Sequence, residues 1–176
     1  MAQRRDEELI EELKYSLDLV NYWIDKADFK VSVSMGLFPL ITALLQYLFS
    51  SVSGKAANPY IQLFVHMIVS VCILLVFAST ILFLFALKPN LKTGGKPSEK
   101  KKYLLYYGDV QEENLDSFKE AIRQSTENDY ANELMNEIHQ NSKICYNKMR
   151  KFKIGILLSL FSLIGQLFCF VFYSFQ

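Results

Sequence analysis

Three stretches of this sequence contain no Asp, Glu, Lys or Arg: residues 31–54, 56–87 and 154–176. A helix that crosses a bilayer needs roughly 20 mostly apolar residues, and each stretch is long enough. The 19 basic and 18 acidic residues all lie in the remaining segments and nearly cancel, leaving a net charge of +1. A soluble globular enzyme would scatter its charges along the chain. This pattern therefore excludes one, together with intrinsic disorder and nucleic-acid binding driven by excess positive charge. The expected fold class is an all-α membrane protein with three transmembrane helices, at about 31–51, 62–87 and 154–176.

The first two spans are joined by SVSGKAANPY, where Gly54, Asn58 and Pro59 are breakers, so they form a tight hairpin. None resembles a cleavable leader, because 30 charge-rich residues precede the first. Orientation follows from the basic residues. Residues 1–30 hold five Lys or Arg and residues 88–153 hold thirteen, whereas the hairpin turn holds only Lys55. The positive-inside rule then places the N-terminus in the cytoplasm and the C-terminus outside, in a bacterial inner membrane. Cys72, Cys145 and Cys169 form no disulfide framework and read as small packing residues.

Four regions follow: an amphipathic N-terminal helix (1–30), the transmembrane hairpin (31–87), a linker and helical sensing region (88–153), and the third span (154–176). Leu9, Leu13, Leu17, Val20, Ile24 and Ala27 recur at helical spacing, and no Pro or Gly intervenes before Gly36, so this helix runs into span one. KPNLKTGGKPSEKKK (88–102) is a linker. It fails as a phosphate loop, since Asn90 stands where the first Gly belongs and Pro97 follows the Lys. YLLYYGDV (103–110) reads as a strand or strap. A short helix follows, with Leu115, Phe118 and Ile122 inward. Thr126 and Asp129 form a capping box. The pattern Ala131, Leu134, Met135, Ile138, Ser142, Cys145, Met149, Phe152 then continues into span three. Two long helices with apolar stripes should pack into a cytoplasmic bundle, and the modest stripes point to a dimer or larger homo-oligomer. Residues 1–30 carry −3 and residues 88–153 carry +3, which favours their association.

No catalytic or metal-binding arrangement is recognisable, with no HExxH, CxxC or GxSxG present. His66 lies in span two without a charged companion. Polar and aromatic residues gather near the membrane: Trp23, Asp28 and Lys30 on the first helix, Tyr107 and Asp109 on the strap, His139, Asn141 and Lys148 on the last helix. Asp28 and Lys30 read as interfacial anchors and salt-bridge partners. The other reading is a set that holds a small anionic ligand by Lys and stacks a base on aromatic rings. Inside the spans, Gln46, Gly165 and Gln166, with Ser34, Gly36, Thr42, Ser70, Ser79, Thr80, Gly155, Ser159 and Ser162, could mediate helix contacts or line a pore.

Three segments in this order resemble one known family. Trp23-Ile24-Asp25-Lys26-Ala27-Asp28-Phe29-Lys30 opens span one as in the Pycsar transmembrane effectors, with Val31 in place of the family's Ala. Tyr106-Tyr107-Gly108-Asp109-Val110 resembles the family's strap, and Glu137 to Lys148 resembles the helix before its last span. The resemblance implies an anti-phage effector without enzymatic activity and without a cofactor. A partner cyclase would make a cyclic pyrimidine mononucleotide, cCMP or cUMP. The effector would then disrupt the inner membrane and bring about abortive infection. The competing readings are a scaffold whose bundle docks a partner protein and a toxin that permeabilises unconditionally.

Overall fold

The computed structural model of the chain describes residues 2–52, 59–88 and 114–174. Four helices account for almost all of them: α1 (Ala2–Val52), α2 (Pro59–Leu87), α3 (Leu115–Gln124) and α4 (Glu127–Ser174). The hairpin turn and the strap with Tyr107 and Asp109 lie outside the described residues. So does the linker beyond Lys88.

Helices α1, α2 and α4 are each long and apolar enough to cross a bilayer, and the chain is an all-α membrane protein. Between 22% and 28% of each apolar window is buried within the protein. Most of each span therefore faces lipid or another protein. With 51 residues in α1 and 48 in α4, these helices are about 77 and 72 Å long at 1.5 Å per residue. Either far exceeds the roughly 30 Å hydrocarbon core. Pro39 lies inside α1 and removes one backbone donor from the span.

Capping explains where α3 and α4 begin. Asn114 Oδ1 accepts from the Asp116 amide at 3.3 Å and starts α3. At α4 the capping box forms as expected. The Asp129 amide donates to Thr126 Oγ1 at 3.2 Å, and the Thr126 amide donates to Asp129 Oδ2 at 3.3 Å.

The chain divides into two compact units. The first comprises Met1–Lys26 and Pro89–Tyr146. Its core is small: Ala131 and Leu134 are buried, while Leu13, Leu17, Val20, Ile24 and Ile138 are half-buried. Three stripe positions, Leu9, Met135 and Ser142, are exposed. Phe118 and Ile122 line a crevice of about 450 Å³ with Ile10 and Tyr130, but only Phe118 is half-buried, Ile122 being 50% and Leu115 62% exposed. Leu115 occupies the first position of its helix, ahead of the turn that faces the crevice, so the inward reading fails for it.

The second unit comprises Ala27–Lys88 and Asn147–Gln176, and contains the three apolar segments. Contacts fix the directions of its helices. Residues of α1 meet residues 120 positions later in α4, as at Asp28–Lys148 and Gln46–Gln166, so these two run parallel. Helix α2 runs antiparallel to α4: Cys72 meets Gly165, Ser79 meets Ser159 and Phe83 meets Gly155. Two apolar clusters hold the unit. One contains Phe49, Val65, Val69 and Cys169, and the other Val31, Phe38, Phe83 and Ala86. A Cβ on Gly155 would lie 2.4 Å from the buried Phe83 ring, and one on Gly165 would lie 2.8 Å from Cys72 Sγ. The absence of side chains at these two positions lets α2 and α4 approach. Gly36, in contrast, faces open space and makes no helix contact.

Candidate functional site

A polar seam runs through the interior of the second unit. Ser34, Thr42, Ser79, Ser159, Ser162 and Gln166 are all buried on helices otherwise rich in Leu, Ile, Val and Phe. In hydrocarbon such groups need partners within the protein. Ser159 Oγ donates to Ser79 Oγ at 2.8 Å, and Ser79 Oγ donates in turn to the Val76 carbonyl at 2.8 Å. Further along, Gln46 Nε2 donates to Gln166 Oε1 at 3.4 Å and Gln166 Nε2 to Ser162 Oγ at 3.0 Å. Ser162 Oγ then donates to the Cys72 carbonyl at 2.7 Å. This chain of donors links α1 to α4 and α4 to the backbone of α2. Thr42 Oγ1 is buried in the same face and finds no hydrogen-bond partner among the described residues.

The second unit also holds a charged contact. Lys148 Nζ reaches both carboxylate oxygens of Asp28, at 2.6 and 2.7 Å. The Lys148 side chain is 11% exposed and that of Asp28 36%. A cation removed from water to this degree is stable only if paired, and the two short bonds supply the pairing. Lys151 Nζ donates to the Phe85 carbonyl at 3.1 Å, satisfying one of the open carbonyls at the end of α2. Lys30 is exposed. His66 hydrogen-bonds through Nδ1 to the Gln62 carbonyl at 2.7 Å and packs edge-on to Phe49, with ring centroids 5.7 Å apart.

In the first unit, Asn141 Nδ2 donates to Asn21 Oδ1 at 3.0 Å, a pair that is again 120 residues apart. Burial pushes the Glu137 carboxyl above the usual carboxylate range, and a hydrogen bond with Asn141 pulls it partly back. Trp23 packs edge-on to Tyr22 at 5.8 Å and remains 48% exposed. Lys26 lies 5.1 Å from the Tyr22 ring and Lys14 lies 5.6 Å from that of Tyr130, within cation–π range. His139 is exposed.

The candidate residues thus separate. Asp28 joins Lys148, Gln46 joins Gln166, Gly165 packs on Cys72, and Asn141 joins Asn21. Trp23, Lys30 and His139 are solvent- or lipid-facing positions. Sequence reasoning overlooked Asn21, Glu137 and the capping role of Lys151. Nothing local in the sequence marks Asn21, because its pairing depends on the register of two helices whose contacts are 120 residues apart. Among the described residues, no group of three or more His, Cys, Asp and Glu could hold a metal ion.

Comparison with known proteins adds two findings. The family model described as Pycsar effector protein domain matches residues 12–175. The Pycsar effector protein GmPycTM from Gulbenkiania mobilis is 26% identical, over 86% of each chain. No solved structure matches.

Proposed function

The chain belongs to the Pycsar effector protein family, which acts in anti-phage defence, and from that membership we propose its mode of action. It senses a cyclic pyrimidine mononucleotide, cCMP or cUMP, made by a partner cyclase during infection. It responds by reorganising as a homo-oligomer in the bacterial inner membrane, which loses integrity, and the infection aborts. The family match over residues 12–175 carries this reading. The concentration of basic residues before the first span and between the second and third supports an N-terminus in the cytoplasm, where the nucleotide is made.

The physical basis is differential binding: a ligand shifts an equilibrium only as far as it prefers one state. Helices α1 and α4 each run unbroken from a charged segment into an apolar one. A displacement of the charged segment is carried along the helix. Lys30 and Lys148 offer cationic groups for the phosphate, and an anion that takes Lys148 must displace the Asp28 carboxylate. Rotation of α1 or α4 then turns the seam outward. Gln46, Thr42, Ser162 and Gln166, which bond to one another or stay buried in the resting arrangement, become a polar path for ions.

Cells expressing the chain and loaded with a potential-sensitive dye test this reading. Depolarisation should require co-expression of a pyrimidine cyclase. Gln46→Leu and Gln166→Leu should weaken depolarisation without abolishing nucleotide binding. Depolarisation without any cyclase identifies an unconditional toxin, and none under either condition identifies a scaffold. Full leakage in both Leu variants contradicts the assignment of the seam.

A further inference from the structure

The face that joins α1 to α4 in the second unit is nearly self-complementary. Gln46 meets Gln166 across it, and Thr42 and Ser162 are separated by the same 120 residues. A carboxamide carries both donor and acceptor, as does a hydroxyl, so Gln pairs with Gln and Thr with Ser or Thr equally well. In parallel helices a residue faces its counterpart at the same level. If α1 met α1 of a second copy, Gln46 would therefore again face a Gln, and Thr42, which has no partner among the described residues, would face the hydroxyl of its counterpart. The same holds for α4 meeting α4 of that copy, through Gln166 and Ser162.

The contact between Asp28 and Lys148 is different. It fits only when α1 meets α4. Like-with-like pairing would set Asp28 against Asp28 and Lys148 against Lys148, where charges with restricted solvent access repel. Polar groups at single positions of helix interfaces are known to select partner and register in this way, at some cost in stability.

We propose that this face is an interaction surface for a second copy of the chain, pairing α1 with α1 and α4 with α4. The Asp28–Lys148 ion pair holds it in the α1–α4 arrangement until that pair is broken. The proposal rests on the reading that the chain changes its assembly in the membrane. Its readout is contact between helices and needs no nucleotide, so it can fail while that reading survives.

Thr42 provides the probe, because its hydroxyl has no partner among the described residues, so Thr42→Cys breaks no hydrogen bond there. The full-length protein, with Cys72, Cys145 and Cys169 replaced by Ala, is oxidised in membranes and its disulfide dimer measured. With native charges the dimer should be scarce. Asp28→Asn combined with Lys148→Gln should raise it several-fold. The reversal Asp28→Lys with Lys148→Asp should return it to the native level, since it restores attraction across α1–α4 and repulsion between like helices. A cysteine at the exposed Leu40 should respond to none of these changes. No rise in the neutral variant, or an equal rise in the reversed one, overturns the proposal.

A second arm does not depend on the neutral variant folding. A tagged Asp28→Lys chain is co-expressed with the chain of native charge, both carrying Thr42→Cys. Here α1 against α1 of the other chain is attractive, so at equal expression the mixed dimer should exceed the half of all dimers that random pairing gives. Mixed dimers at the statistical proportion overturn the proposal.

Discussion

Lys148 keeps 11% of its side chain exposed and bonds to both Asp28 oxygens, so its stability depends on one carboxylate. Asp28→Asn removes the compensating charge and leaves the ammonium in place. Asp28 is about one-third exposed, which lowers the cost below that of a fully buried pair, to about 1–3 kcal/mol. The melting temperature of the purified protein in detergent should fall, and Asp28→Asn with Lys148→Gln should recover part of the loss. A larger loss for the double variant contradicts the account. Glu137 gives a prediction about pH. Its folded carboxyl titrates above the ordinary range because of burial, so the folded state binds the proton more tightly than the unfolded chain. Stability from this group is therefore highest at low pH and declines as pH rises from the ordinary carboxylate range through the raised value. Glu137→Gln should remove that part of the decline while keeping a hydrogen-bonding partner for Asn141. An unchanged pH profile would argue against it. Gly155 tests packing: even Ala places a Cβ against the Phe83 ring, which is fully buried. Gly155→Ala should cost about 1–3 kcal/mol by overpacking, read as a lower melting temperature.

Among the helices, α4 does the most, since it carries Gly155, Ser159, Ser162 and Gln166 along one seam. Ser162 accepts from Gln166 and donates to the Cys72 carbonyl, so Ser162→Ala strands a donor on Gln166. Interhelical hydrogen bonds in membranes contribute about 0.6 kcal/mol each on average. The variant should accordingly lose about 1 kcal/mol in detergent melts, while Ser70→Ala, whose hydroxyl returns to its own helix at His66, should change little. Equal effects would remove the distinction between seam and surface. The long helices were legible in the sequence because they depend on local signals. Charge-free windows, the absence of breakers before Gly36 and the Thr126–Asp129 cap are each confined to a few turns. The pairing of Asp28 with Lys148 was not legible, because it depends on the register of two helices whose contacts are 120 residues apart. Either residue alone reads as an interfacial anchor. The stripes were read too broadly at Leu9, Leu115, Met135 and Ser142, since periodicity identifies a face but not how much of it the neighbouring helices cover.

For the molecule as a whole, a charge pattern that orients three spans accompanies membership of the Pycsar effector family. Eighteen of the 19 basic residues lie on one side of the spans, which sets the expected topology. A cysteine at Gln3 should be shielded from an impermeant thiol reagent in intact cells, and one at Gln176 should be labelled. The opposite labelling contradicts the orientation and, with it, sensing of a cytoplasmic nucleotide. The central claim is that a cyclic pyrimidine nucleotide makes this chain permeabilise a membrane. Its most direct test is the purified full-length protein reconstituted into vesicles of bacterial lipid that enclose a self-quenched dye. Added cCMP or cUMP should release the dye while 5′-CMP, 5′-UMP and buffer do not. Release that is equal without nucleotide, or absent with both cyclic nucleotides, would contradict it.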